Sequence, residues 1–205
     1  MTTTFTTDTL RGALGRIIAK LNASADELNL LDAQLGDGDL GVSLVRGARA
    51  VEAELPNLPD DVGMALLKCA QAFTKLSGST YGTLLATGLM SAAKATKGRT
   101  EIAWSEVSSL LDNATQAMAQ RSGGELGDKT VLDALDAARA ATEGLTEPSA
   151  LAAVADRAVA ECLDRFRSQP ARQGRARIFA DKSVGKDDPG MVALKRMTEA
   201  LNQIH

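Results

Sequence analysis

Apolar residues recur at intervals of three and four over most of this chain, the spacing of helices that each bury one face. Leu10, Leu14, Ile17, Ile18 and Leu21 share one such face, and Asp8 stands where an N-cap would start the helix. Ser24 is placed to cap a second helix, with Glu27 three positions on as its capping-box partner and Leu28, Leu31 and Leu35 in step. A third runs from about Gly41 to Leu55, where Pro56 and Pro59 stop it. Further helices are expected at roughly 60–75, 80–96, 103–121, 128–143, 148–168 and 189–203. The connections "KLSGSTYG", "TKGRT", "RSGGELGD" and "EGLTEPS" are rich in turn-forming residues. No run of strand length alternates apolar and polar positions, and residues 169–188 form the one long irregular segment. The pattern predicts an all-α, up-and-down bundle of about eight helices, as a single domain over residues 1–205.

Composition agrees. The apolar residues are mostly Ala and Leu and only 3% of the chain is aromatic, which suits closely packed helices better than a β-sandwich. A net charge of −3 offers no general electrostatic footprint for nucleic acid. No stretch approaches the roughly 18 uninterrupted apolar residues of a membrane span, and the N-terminus lacks the basic-then-apolar pattern of a secretory signal. A cytoplasmic protein without membrane contact is expected, with Cys69 and Cys162 as buried thiols in alanine-rich helices rather than a disulfide.

The candidate chemistry starts at "LLDAQLGDGDLG", residues Leu30 to Gly41, where Asp32, Asp37 and Asp39 crowd together with nothing basic between them. Like charges this close repel unless a cation sits among them. Glycines let the turn bring several carboxylates around one point, and hard oxygen donors favour Mg²⁺, Mn²⁺ or Ca²⁺ over Zn²⁺. The spacing does not fit an EF-hand, and few protein ligands with room for water point to Mg²⁺ bridging to phosphate. The same residues also suit a solvated turn whose aspartates cap helices, and the motif alone does not choose.

Three other loops have phosphate-binding character. "LSGS" (Leu76–Ser79) and "RSGGELGDKT" (Arg121–Thr130) are glycine-containing entries to helices, and helix N-termini attract anions. The long segment and its flanks carry Arg165, Arg167, Arg172, Arg175, Arg177, Lys182 and Lys186. Each loop alone is better explained by capping, turn chemistry or solvated charge than by phosphate binding. In an up-and-down bundle, however, loops separated by even numbers of helices meet at the same end, and these four do. Their convergence argues for a Mg²⁺–phosphate site.

The segments "LDAQLGDGDLG", "SGSTYGTLL", "GDKTVLDALDAA" and "GRARIFADKSVGKDDPG", in this order, make the chain resemble the nucleotide-binding L subunit of dihydroxyacetone kinases and the related C-terminal kinase domain of single-chain enzymes. The resemblance implies an eight-helix antiparallel barrel with ADP or ATP and two Mg²⁺ ions at one end. It implies Asp32, Asp37 and Asp39 as metal ligands that act in catalysis through the metal. Leu40, Gly41, Val42 and Ser43, with Leu76, Ser77 and Gly78, fall in the phosphate-cradling segments. Gly123, Val131, Asp188, Pro189 and Gly190 fall around the nucleotide, and Lys182 stands where the family usually has an arginine near the phosphates. Leu40 replaces a family histidine, and Thr74 and Lys75 replace a Gly-Gly pair that begins the phosphate loop. Lys75 either restores positive charge there or points to solvent.

The family holds its substrate through a histidine on a separate K-type subunit or domain, and the single histidine here is His205. The resemblance therefore implies a phosphoryl-transfer subunit that needs a K-type partner presenting dihydroxyacetone or a related ketose such as erythrulose. The phosphate donor is either free ATP or a phosphotransferase-system M subunit acting on bound ADP. A second copy of the chain is a further candidate partner. The alternative is a nucleotide-loaded regulatory module, such as a transcription-factor coactivator, without its own turnover.

Overall fold

A computed structural model describes residues 3–76 and 78–203. Ser77 and His205, both singled out above, lie outside the described residues, as do the side chains of Leu76, Arg175 and Phe179. The helices among the described residues are α1 (Thr7–Ala23), α2 (Ala25–Asp32), α3 (Leu40–Glu54), α4 (Val62–Leu76), α5 (Thr80–Thr96), α6 (Val107–Ser122), α7 (Val131–Thr142), α8 (Pro148–Arg167) and α9 (Pro189–Asn202). The ring closes in chain order: α1 packs on α3, each helix from α3 to α8 packs on the next, and α9 returns to α1. Eight helices thus form a closed barrel, while short α2 sits outside the ring against α3 and α9. Leu28, Leu44, Val159 and Met191 are among the fully buried side chains of the core. Cys69 and Cys162 are buried free thiols, as the alanine-rich context led us to expect. No described helix is long and apolar enough to cross a membrane.

Several local details differ from the sequence reading, each for a physical reason. The N-cap of α1 is Thr6 rather than Asp8, because Thr6 and Thr9 form a reciprocal capping box. Ser24 does occupy the cap position of α2, but its side chain makes no capping bond. Glu27, expected to complete a box there, is instead gripped by Arg196 of α9 through two bonds of 2.6 and 2.9 Å. A distant guanidinium outcompetes a local amide. The chain also contains a small sheet, with β1 (Thr4–Thr6) antiparallel to β2 (Glu101–Ala103). Three residues per strand are too few for alternation to show. Within the long segment, residues Arg175–Ser183 wind as a 3₁₀ helix rather than staying irregular.

Behind α9 lies an ion-pair network joining α1, α2, α8 and α9. Glu199 accepts from Lys195 at 2.9 Å and Arg196 at 2.7 Å and pairs with Lys20 at 3.1 Å, while Lys195 also reaches Asp156 at 2.7 Å. Burial alone pushes the Glu199 carboxyl up, but the hydrogen bonds from Lys195, Arg196 and Lys20 together outweigh it and bring the pKa down to about 2 from an ordinary 4.5. A carboxyl depressed on folding contributes stability that is fully present above its unfolded pKa and lost as pH falls towards the folded one. Urea unfolding across a pH series should therefore show up to roughly 3 kcal/mol of stability lost between about pH 5 and pH 2 through this group. Glu199→Gln should be less stable at neutral pH and should flatten that acid limb; an unchanged limb would contradict the assignment.

Candidate functional site

The four converging loops surround a cavity of about 670 Å³ at one end of the barrel. Its lining includes Leu40, Thr80, Val131 and Pro189, the first residues of α3, α5, α7 and α9. Four helix N-termini thus face one space, and each brings amides that its own helix cannot satisfy and the positive end of a helix dipole. A wall of this kind favours an anion. Side chains serve three of the caps: Ser79 accepts from the Gly82 amide at 3.0 Å, Thr130 from Leu132 at 3.2 Å and Asp188 from Met191 at 2.8 Å. Asp39, at the cap position of α3, makes no such bond.

The aspartate turn is folded back on itself. Asp32, the last residue of α2, accepts the amide of Asp39 at 3.0 Å, so it serves the start of α3 from seven residues upstream. The turn needs its glycines: a Cβ on Gly36 would lie 2.5 Å from Asp32 Oδ1, and Gly38 has φ +76°. One carboxylate oxygen from each of Asp32, Asp37 and Asp39 lies within 4.8 Å of the others. Burial raises the Asp32 pKa, amides of Asp39, Leu40 and Gly38 oppose the rise, and the neighbouring Asp37 charge adds to it. Three hard oxygen donors at this spacing fit a divalent cation such as Mg²⁺ with water completing its shell.

Of the other residues singled out from sequence, Leu40, Gly78, Val131, Asp188, Pro189 and Gly190 line the cavity. Gly41, Val42, Ser43, Gly123 and Lys182 do not. Gly41 packs on α2, where a Cβ would collide with the Ala25 carbonyl. The Val42 amide donates to Asn29 Oδ1 at 3.2 Å, and the exposed Val42 side chain borders a smaller second cavity between α2 and α3. Ser43 is buried, and Gly123 ends α6 in the left-handed conformation at φ +67°. Lys182 is exposed in the 3₁₀ segment. The helix α4 continues through Thr74 and Lys75 to Leu76, with Thr74 donating to the carbonyls of Ala70 and Gln71, and Lys75 is exposed.

The long loop contributes differently from its expected role. At the end of α8 Arg167 pairs with Asp187 and Asp164 at 2.9 Å each and Arg165 stacks on Phe166, while Gln173, Gly174 and Ala176 of the loop reach the cavity. Arg121, at the end of α6, is the cation on the wall among the described residues.

Sequence reasoning missed two residues that hold the site together. Tyr81 lines the cavity and donates to the Gly190 carbonyl at 3.0 Å. Lys129, only 1% exposed and at φ +62°, donates through Nζ to the carbonyls of Gln169 and Ser183 at 2.8 Å and of Arg167 at 3.3 Å. It thereby ties both ends of the loop to the α6–α7 turn. Burial lowers its pKa, partly offset by the nearby charges of Asp188 and Asp187. Beside it, Asp188 is pushed up to about 6 by burial, against the pull of the Met191 and Gly190 amides and the Lys129 charge. Both residues stand inside motifs quoted above, "SGSTYGTLL" and "GDKTVLDALDAA", but their partners are 109 and up to 54 positions away.

Residues 34–203 match the DAK2 domain. The chain belongs to the DAK2-domain family. Among its relatives, the PEP-dependent dihydroxyacetone kinase ADP-binding subunit DhaL of Escherichia coli is 29% identical, over 88% of each chain. The L-erythrulose 1-kinase of Mycolicibacterium smegmatis is 32% identical over 86% of this chain, and human triokinase/FMN cyclase is 30% identical over 93%. This chain spans only about a third of those two proteins, 32% and 34% respectively. The dihydroxyacetone kinase of C. freundii has the same fold over 96% of this chain, with a TM-score of 0.78 at 24% identity, and this DAK2 chain spans 34% of its length. The eight-helix barrel implied by the sequence resemblance is therefore the fold observed.

Replacing Lys129 by Met should leave the carbonyls of Arg167, Gln169 and Ser183 without their donor. Unfolding in urea should then show a loss of about 2–3 kcal/mol, and trypsin should cut faster within residues 169–188. An unchanged urea midpoint with an equally resistant loop would show that Lys129 does not anchor it.

Proposed function

We propose that this chain is the nucleotide- and Mg²⁺-binding phosphoryl-transfer subunit of a kinase for dihydroxyacetone or a related small ketose. One observation carries the reading: four helix N-termini and three clustered carboxylates face a single cavity large enough for a nucleotide. The helix ends supply donors for phosphate oxygens, and the aspartates supply the means to hold cations against them. Support comes from the E. coli relative described as an ADP-binding subunit and from the C. freundii kinase, of which a complex with AMP-PNP and Mg²⁺ has been solved.

In this reading Asp32, Asp37 and Asp39 hold two Mg²⁺ ions. Bound there, Mg²⁺ neutralises charge on the phosphates and on the group in transfer. The chain itself positions. Amides at the start of α5 orient the phosphates, while the apolar side chains of Leu84, Val131 and Leu132 on the walls exclude water around the remainder of the nucleotide. The substrate is carried by a K-type partner, since the ketose-binding histidine of the family has no counterpart in a described segment here. Phosphate arrives either as exchanging ATP or from a phosphotransferase-system M subunit that recharges resident ADP.

Titration calorimetry with Mg·ADP tests the site. Asp37→Ala should reduce affinity by at least the roughly 10–100-fold that loss of an outer-shell partner costs a metal site, with the helical CD spectrum preserved. Equal affinity in the folded variant would remove the aspartates from the site. ADP that stays with the protein through exhaustive dialysis would favour the resident-ADP route, and its loss would favour exchange.

A further inference from the structure

We propose that Tyr81 is a positioning residue, a strut across the barrel that fixes how far apart the N-termini of α5 and α9 stand on either side of the cavity. In the ring of eight helices, α5 and α9 are opposite one another, four neighbours apart in both directions, and they do not pack along their lengths. No direct packing between the two helices fixes their separation, which the ring sets only through the helices between them. Tyr81, in the first turn of α5, crosses this gap and donates its hydroxyl to the carbonyl of Gly190, in the first turn of α9, at 3.0 Å. The fit is close: a Cβ on Gly190 would lie 2.9 Å from the Tyr81 ring and 3.1 Å from Asp188 Oδ1. Glycine at 190 thus lets the ring seat against the backbone of α9. Burial drives the phenol pKa well above its ordinary value, with the Asp188 charge adding to the effect, so the hydroxyl remains a donor at any working pH.

The strut matters because both helix starts belong to the cavity wall. Ser79 and Thr80 open α5 on one side; Asp188 and Pro189 open α9 on the other. A ligand that touches both needs them at one fixed distance, and misplacement of an anchoring wall weakens binding without unfolding anything. The inference rests on the nucleotide reading above and adds to it a residue that need not touch the phosphates.

Tyr81→Phe keeps the ring and removes the one hydrogen bond. Calorimetry at 25 °C, with the variant folded by CD, should show Mg·ADP affinity reduced about three- to tenfold, the range expected for one hydrogen bond. A residue that only stabilises the fold would lower the melting temperature and leave the affinity of the folded protein unchanged, and that result would overturn the proposal. So would failure of Tyr81→Phe to fold, since the bond would then be holding the barrel together. Gly190→Ala, which crowds the same contact from the other side, should weaken binding as well; unaltered affinity there would contradict the close fit. Wild-type protein that fails to bind Mg·ADP would instead overturn the nucleotide reading and the strut with it. Binding by wild type and equal binding by both variants would overturn the strut alone.

Discussion

The starts of α3, α5, α7 and α9 share one end of the barrel, and the rest of the site follows from that placement. Helix N-termini carry amides that their own helices leave without acceptors, so gathering four of them concentrates donor capacity and positive potential in one place. Ser79, Thr130 and Asp188 satisfy part of that demand from their own caps. At α3 the arrangement differs, because the amides there are served by Asp32 from the preceding helix and the carboxylate of Asp39 is left out of the capping scheme. Acidic side chains and helix ends are thereby interleaved, giving one cavity the means to address both cations and anions.

A second constraint is the buried ammonium of Lys129. It is neutralised by no carboxylate at bonding distance; three backbone carbonyls satisfy its protons, and the charges of Asp187 and Asp188 act from further away. Such a group is costly to bury and tolerable only where its hydrogen bonds are complete. Its acceptors come from the two ends of the longest connection in the chain, so the geometry of that loop and the burial of the charge require one another. The arginines in the last turn of α8 are spent outside the cavity: Arg167 pairs with Asp164 and Asp187, and Arg165 lies over the ring of Phe166.

Helix positions were legible because the apolar period and turn residues act locally; α5 was placed over 80–96 and is found at Thr80–Thr96. The convergence of four loops followed from counting helices, and the aspartate trio from its spacing. What escaped depends on distant partners. Glu27 had a plausible local role and lost it to Arg196 on α9. The phosphate-side segment Gly41–Ser43 looked like a cradle, but Gly41 is needed for the approach of α3 to Ala25. Tyr81 and Lys129 sat in quoted motifs, and only the fold shows what their side chains reach.

At the end opposite the cavity, the two short strands join the segment before α1 to the connection between α5 and α6. Phe5 and Trp104 meet there with ring centroids 5.0 Å apart, over a separate apolar cluster of Val62, Leu66, Ala93 and Ile102. Apolar packing thus ties α4, α5 and the strands together at this end, away from the cavity. On the proposed reading, nucleotide and partner subunit both come to the open end of the barrel, so replenishment and catalysis share one face of the molecule.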